Sequence, residues 1–415
     1  MGKWVVQLRE RATSLRRWLG WGALGAALIV FLAITVRLNL TTRGEEHFSL
    51  LAQSFLHGNL AFDGPPDGTW GDTTPYQGKN YWPLGPLPAV LLMPFQFLAG
   101  LAGIFFYQGY LQIVLVGALL ALVFVAARRT GFDPEDSVYL AFGFTFSTTC
   151  LGVAIWPWSW YFSQTITCVL IFWAIAEMTG KRRAFIIGIA FALCLATRAT
   201  AALGLLWFAG EVVFGNQPSK EKMRSLTASI LPCLVVLGLL FLYNYARFGS
   251  ILEQGYANQI VGDRADARSV GIFSLHHLPA NLYTLLLAGP VPITSDSTFV
   301  LTFPFFAANP WGMSLFVTAP CFFLLAGLSY RDSTSRLLLL TTVMIALPIL
   351  FYYGIGYRQF GYRYALDFLP LLYYLLFRNY RAQRGELTPL FKMSILFGAG
   401  WNLHLFAGHY LWHLT

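Results

Sequence analysis

Hydrophobic positions dominate this chain and fall into long continuous runs. Apolar stretches at residues 18–36, 110–127, 138–155, 161–178, 184–196, 199–214, 226–245, 310–328, 336–353, 364–378 and 390–408 alternate with short polar segments. Crossing a bilayer as a helix takes roughly 20 apolar residues, so the pattern predicts an all-α polytopic membrane protein of about 11 transmembrane helices. Basic clusters sort the runs: Arg128 and Arg129, Lys181 to Arg183, Lys220 to Arg224, Arg331 and Arg336, and Arg378 to Arg384 all fall on one side. Lys and Arg concentrate in cytoplasmic loops, which puts that side inside and leaves two long outer loops, 37–109 and 248–309. The scheme holds only if 84–100 does not cross. Pro86, Pro88 and Pro94 break a helix there, so this stretch is predicted to be a re-entrant or interfacial segment.

A loop as long as 37–109 is costly to order unless it does something. Phe48, Leu51, Ala52 and Phe55 recur at helical spacing, which predicts a short helix lying in the membrane interface with an acidic first turn at Glu45 and Glu46. Thr42 and Glu45 have the spacing of a capping box, a local role that competes with any chemical one for Glu45; Glu46 has no such role. Asp72 and Lys79 flank the start of the proline-rich second half. The apolar stretch 184–214 is too long for one ordinary helix and must turn near Thr197 to Thr200, leaving Arg198 partly inside the membrane, where it needs a partner.

Composition narrows the class. The 415 residues are 56% hydrophobic and 11% charged, and the net charge of +9 lies in the clusters that set topology. That distribution argues against a nucleic-acid partner. Five cysteines sit inside apolar runs without CxxC spacing and read as small core residues. Arg9, Arg11, Arg16 and Arg17 precede the first run and no small-x-small site follows it, which predicts an uncleaved anchor. His276 and His277, and His404, His409 and His413, lack ligand spacing. No phosphate-binding Gly loop, Ser/His/Asp order or H-E-x-x-H occurs, and no fixed-period repeat, so residues 1–415 read as a single membrane domain.

Because the sidedness is regular, the exceptions carry information. Arg37, Arg43, Lys79, Arg198, Arg247, Arg264, Arg268, Arg358 and Arg363 fall on or near the outer face, amid acids that include the patch Asp263 to Arg268. Outer-leaflet cations with nearby carboxylates are what a lipid-phosphate substrate requires. Arg363 and Asp367 stand at i,i+4, a spacing that permits a simple ion pair instead. Trp156 to Gln164, W-P-W-S-W-Y-F-S-Q, reads as an aromatic belt or as a sugar-stacking platform through Trp158.

These segments together resemble the GT-C superfamily of integral-membrane glycosyltransferases, which includes protein O-mannosyltransferases and the bacterial aminoarabinose transferases. The likeness runs through G-E-E-H-F-S-L-L-A-Q-S-F-L-H-G, Y-Q-G-K-N-Y-W-P-L-G-P-L-P-A-V-L-L-M-P, L-A-T-R-A-T, Y-N-Y-A-R-F-G-S followed by Q-G-Y, and G-Y-R-Y-A-L-D-F-L-P. It implies a polyprenyl-phosphate sugar as donor, an acceptor of unknown identity, and inverting transfer on the extracytoplasmic face of the cytoplasmic membrane. Glu45 or Glu46 would take the acceptor's proton, with Asp72 as a further acid. Lys79, Arg198, Arg358 and Arg363 would meet the lipid phosphate, and Tyr76, Tyr256 and Trp158 would line the substrate site. A divalent metal serves some members and not others, and the sequence requires none. This chain departs from the family's usual Asp-Glu pair by having Glu45-Glu46, and its Trp156 to Gln164 turn carries no acid. A transporter or flippase for a lipid-linked glycan and a non-catalytic scaffold are the rival classes; the former predicts charges deep within several spans.

Overall fold

The structure, a computed structural model, describes residues 2–63, 71–261, 268–295 and 300–411, with side chains from residue 20 to residue 409 within those ranges. Asp263, Arg264, Asp266, His413 and the side chains of the N-terminal arginines therefore lie outside the described residues. Helices dominate, as the apolar runs predict. They are α1 (Gly2–Thr41), α2 (His47–Leu56), α3 (Leu87–Leu101), α4 (Gln108–Arg129), α5 (Pro134–Phe146), α6 (Cys150–Ile155), α7 (Ser159–Met178), α8 (Ala184–Leu195), α9 (Leu205–Phe214), α10 (Ser219–Phe248), α11 (Leu278–Leu286), α12 (Leu315–Thr318), α13 (Ser333–Leu350), α14 (Leu369–Arg384) and α15 (Pro389–Phe406). Among the described residues five are long and apolar enough to cross a membrane: Gly20–Thr41 of α1, then α4, α7, α10 and α13.

Three other apolar stretches are broken, each for a local reason. Residues 138–155 divide into α5 and α6 where the Thr148 hydroxyl donates to Phe144 O and accepts from the Cys150 amide, replacing helical partners with side-chain ones. The run 310–328 is not one α-helix: α12 ends before Pro320, which has no amide proton to give, and a 3-10 helix follows over Pro320–Gly327. The turn expected near residues 197–200 is present, with Arg198 extended between α8 and a 3-10 helix at Ala199–Gly204.

Burial shows which helices hold the centre. The window of α7 is 89% buried, and α7 packs against α4, α8 and α14, whereas that of α10 is only 11% buried. Helix α10 exposes Leu231, Leu234, Leu239 and Leu242, a face that suits hydrocarbon as its solvent.

The described part of segment 37–109 is a folded unit. Helix α2 buries Phe48, Leu51 and Ala52 and packs on α3, a 15-residue helix with Pro94 inside it and an exposed apolar face of Phe95, Phe97 and Leu98. Between them lies a hairpin of β1 (Thr74–Tyr76) and β2 (Lys79–Tyr81), an addition to the all-α expectation. Its turn residues Gln77 and Gly78 both have positive φ, 47° and 73°, the pairing a two-residue hairpin needs. A second antiparallel pair, β3 (Val291–Thr294) with β4 (Leu301–Ala307), lies in the second outer loop. The capping-box reading of Glu45 fails: the chain bends at Gly44, φ 124°, α2 starts at His47, and Glu46 at its N-cap makes no side-chain cap bond.

The first loop is tied to the 196–200 turn. The Leu87 amide donates to Ala196 O at 3.0 Å, and a Cβ on Gly85 would run into the Ala196 and Thr197 carbonyls. Gly85→Ala is expected to cost about 1–3 kcal/mol through this backbone clash, read as a lower unfolding midpoint in detergent. Gly117→Ala, where a Cβ meets nothing within 4 Å, is the control and should not lower the midpoint.

Candidate functional site

A cavity of about 360 Å³ lies where the first loop, the 197–200 turn, the outer end of α10 and the segments after α13 converge. Its inner wall is apolar, with Leu237, Leu240, Phe241 and Ile349; its outer part holds Asp72, Arg198, Arg247, Tyr256, Arg363 and Tyr364. An apolar floor below a charged rim suits an amphiphile with an anionic head.

The three arginines are held differently. Arg198 Nε is paired with the fully buried Asp367 carboxylate, whose other oxygen accepts from Thr200 Oγ1. This supplies the partner that a buried charge requires, and it takes the place of the Arg363–Asp367 pair that the spacing permits. The reason is local: Arg363–Asp367 is a 3-10 helix, in which i and i+3 align while i+4 points to another side. Arg363 instead stacks over Tyr364 (4.7 Å) and reaches toward Tyr161 (5.8 Å). Arg247, in the last turn of α10, donates to Trp82 O (2.9 Å) and Asn244 Oδ1 (2.7 Å) and lies over Tyr243. Arg247 and Arg363 are 5% and 7% exposed, and among the described residues the Nε–H of each has no hydrogen-bond partner. Buried donors without partners are uncommon, because each forfeits its hydration for nothing.

The acids form a second group beside the cavity. The Glu45 carbonyl accepts from the Ser159 amide (3.1 Å), Ser159 Oγ (2.6 Å) and Gln108 Nε2 (3.0 Å), which fixes the residue against the starts of α4 and α7. Burial, with the charge of Asp72 added, pushes the Glu45 carboxyl up to about 7 against the opposing pull of Arg358. Glu46, which accepts from the Gln108 amide at 3.3 Å, is also pushed to about 7 by burial, partly offset by that bond and by Arg43. Asp72 and Arg358 both adopt left-handed backbone, φ 64° and 48°. Non-glycine residues rarely hold that conformation without a structural reason.

Of the sequence-predicted residues, Asp72, Arg198, Tyr256 and Arg363 line one cavity, while Glu45 lies within electrostatic reach of Asp72 and Arg358. Glu46 is turned toward Gln108 and Arg43. Lys79 is exposed on the hairpin, and Tyr76 donates to Phe248 O at 3.2 Å; neither lines the cavity. Trp158 packs on Trp156 and Tyr161, and it is Trp160 that reaches the cavity wall. Sequence reasoning left out Arg247 as a site residue although its position at the outer boundary marked it. It also left out His47, Trp82 and Trp160, which the fold stacks together: His47 lies 3.9 Å from Trp82 with rings 16° apart. Among the described residues no group of three or more His, Cys, Asp or Glu is placed to hold a metal ion.

No family model matches the chain, and no curated protein does. Among solved structures, it is similar to the apo oligosaccharyltransferase of Archaeoglobus fulgidus, with 14% identity and a TM-score of 0.47 over 93% of this chain and 56% of that one. It is also similar to the oligosaccharyltransferase AglB of the same organism in complex with an inhibitory peptide and a dolichol-phosphate, with 12% identity and a TM-score of 0.45 over 95% and 55%. The chain thus spans little more than half the length of each.

Removing Asp367 strands the Arg198 charge. Asp367→Ala is expected to destabilise by about 3–5 kcal/mol, whereas Arg198→Met combined with Asp367→Leu recovers most of that loss. Unfolding midpoints of the singles and the double in detergent check it.

Proposed function

We propose that this protein is an integral-membrane glycosyltransferase that moves a sugar from a polyprenyl-phosphate donor to an acceptor hydroxyl on the extracytoplasmic face of the cytoplasmic membrane. The observation that carries the reading is the cavity with an apolar floor and two buried arginines whose Nε–H groups lack partners, next to a carboxyl held near neutrality. Crossing at all eleven apolar runs, with both long loops outside, accompanies this proposal.

In the proposed reaction the isoprenoid lies against Leu237, Leu240 and Phe241, with its phosphate at Arg247 and Arg363. The Glu45 carboxylate accepts the proton of the acceptor hydroxyl as the new oxygen–carbon bond forms. The anomeric bond to the phosphate oxygen breaks with inversion, and its electron pair leaves on the lipid phosphate, which gains a second negative charge. The arginines meet that growing charge where the surroundings are dry, the setting in which such stabilisation is strongest. Glu45 is favoured over Glu46 as the base because it neighbours Asp72 and Arg358 at the cavity. Asp72 raises its proton affinity and Arg358 keeps it from rising further. Trp160 and Tyr256 offer faces for the sugar.

The test is transfer by the purified protein in lipid nanodiscs, offered a panel of polyprenyl-phosphate sugars and hydroxyl acceptors. Glu45→Gln should lower kcat by roughly 10²–10⁴-fold, and Arg363→Gln should weaken donor binding. A base with a carboxyl near 7 works only when deprotonated, so wild-type activity should fall as pH drops through about 7. No transfer by wild type, together with unchanged donor binding in Arg363→Gln, overturns the proposal.

A further inference from the structure

His47 is fully buried at the first residue of α2, immediately after the two glutamates. Its ring is stacked on Trp82 and its Nδ1 lies 3.2 Å from Ser159 Oγ and 3.8 Å from Glu45 Oε2. The tautomer follows from what Ser159 is already doing. Ser159 Oγ stands 2.6 Å from the Glu45 carbonyl, an oxygen that only accepts, so the hydroxyl proton is committed there. Toward His47 the hydroxyl is left as an acceptor, and Nδ1 must carry a proton. That N–H meets Ser159 Oγ at 3.2 Å, and the nearer oxygen of the Glu45 carboxylate lies 3.8 Å from the same nitrogen.

We infer that His47 is a positioning residue for Glu45: its Nδ1–H holds the carboxylate in one orientation and favours its charged form, so that the base stays available at neutral pH. The inference rests on the proposed role of Glu45 and adds to it a residue that the carboxylate depends on. The 3.8 Å separation is longer than a formed hydrogen bond, and such contacts shorten as a reactive complex assembles. The charged groups around the pair are Asp72, which disfavours the carboxylate, and Arg358, which favours it, with Glu46 and Arg43 on the side facing Gln108. His47 is fixed both by its stacking on Trp82 and by its contact with Ser159, so it sets direction as well as charge.

Two substitutions separate the donor from the ring. His47→Phe keeps a flat ring against Trp82 and removes the N–H, while His47→Asn keeps a nitrogen donor the same number of bonds from Cα and removes the ring. The pH profile of kcat/KM should shift its acid limb upward by about one unit in His47→Phe and stay at the wild-type position in His47→Asn. The protonation midpoint of the Glu45 carboxyl, read by infrared difference titration of the unreacted protein against Glu45→Gln, should move in the same way. An unmoved infrared midpoint in His47→Phe overturns the inference, as does an equal shift in both variants. If the infrared midpoint shifts as expected while wild type transfers no sugar, the link between His47 and Glu45 stands and the glycosyltransferase reading falls.

Discussion

The buried pair of Arg198 and Asp367 is the constraint from which the outer half of the molecule is arranged. Neither charge can sit alone in so dry a place, because attraction to its partner is what offsets lost hydration. Their contact joins the turn after α8 to the 3-10 segment before α14, two parts of the chain 169 residues apart. Thr200 takes the second carboxylate oxygen, so both oxygens of Asp367 are engaged by the 198–200 turn. The first outer loop docks on the same turn through Gly85 and the Leu87 amide. One ion pair thus organises the wall of the cavity and releases a second arginine into it.

The membrane-facing architecture was legible because lipid leaves the backbone few choices. A run of apolar residues in hydrocarbon must satisfy its amides within itself, so runs became helices, and the breaks came at Thr148, Pro320 and the 197–200 turn. The apolar stripe of α2 was equally readable, since Phe48, Leu51 and Ala52 all turn inward. The outer segments were less so. Strands of three residues, such as Thr74–Tyr76, carry too little pattern to be seen, and their turn is identified by the backbone angles of Gln77 and Gly78.

Site residues were lost where one step in sequence changes the face. Trp158 and Trp160 flank the start of α7, and only the second points to the cavity. The capping spacing of Thr42 and Glu45 was real in sequence but void in structure, because Gly44 turns the chain before a shared helix can form. Arg363 and Asp367 failed for the same kind of reason: i,i+4 is a neighbour relation in an α-helix and not in a 3-10 helix. His47 had no local signal at all, since Trp82 and Ser159 reach it from distant parts of the chain.

What the sequence could not hint at is where the structure leaves its energetic defects. Three buried donors without partners, Arg247 Nε, Arg363 Nε and Trp82 Nε1, lie in or against one region, and the Trp82 carbonyl is itself held by Arg247. Beside them stand two non-glycine residues in left-handed backbone, Asp72 and Arg358, and a carboxyl pushed to about 7. A core selected for stability alone would bury apolar groups there, since each orphan donor costs on the order of 1–3 kcal/mol. Gathered in and beside one cavity, the same features form a set of donors and charges already oriented and largely shielded from water. For the anionic donor proposed above, most of the reorganisation demanded on arrival would be completed during folding, the condition under which a pocket favours charge that develops in a reaction.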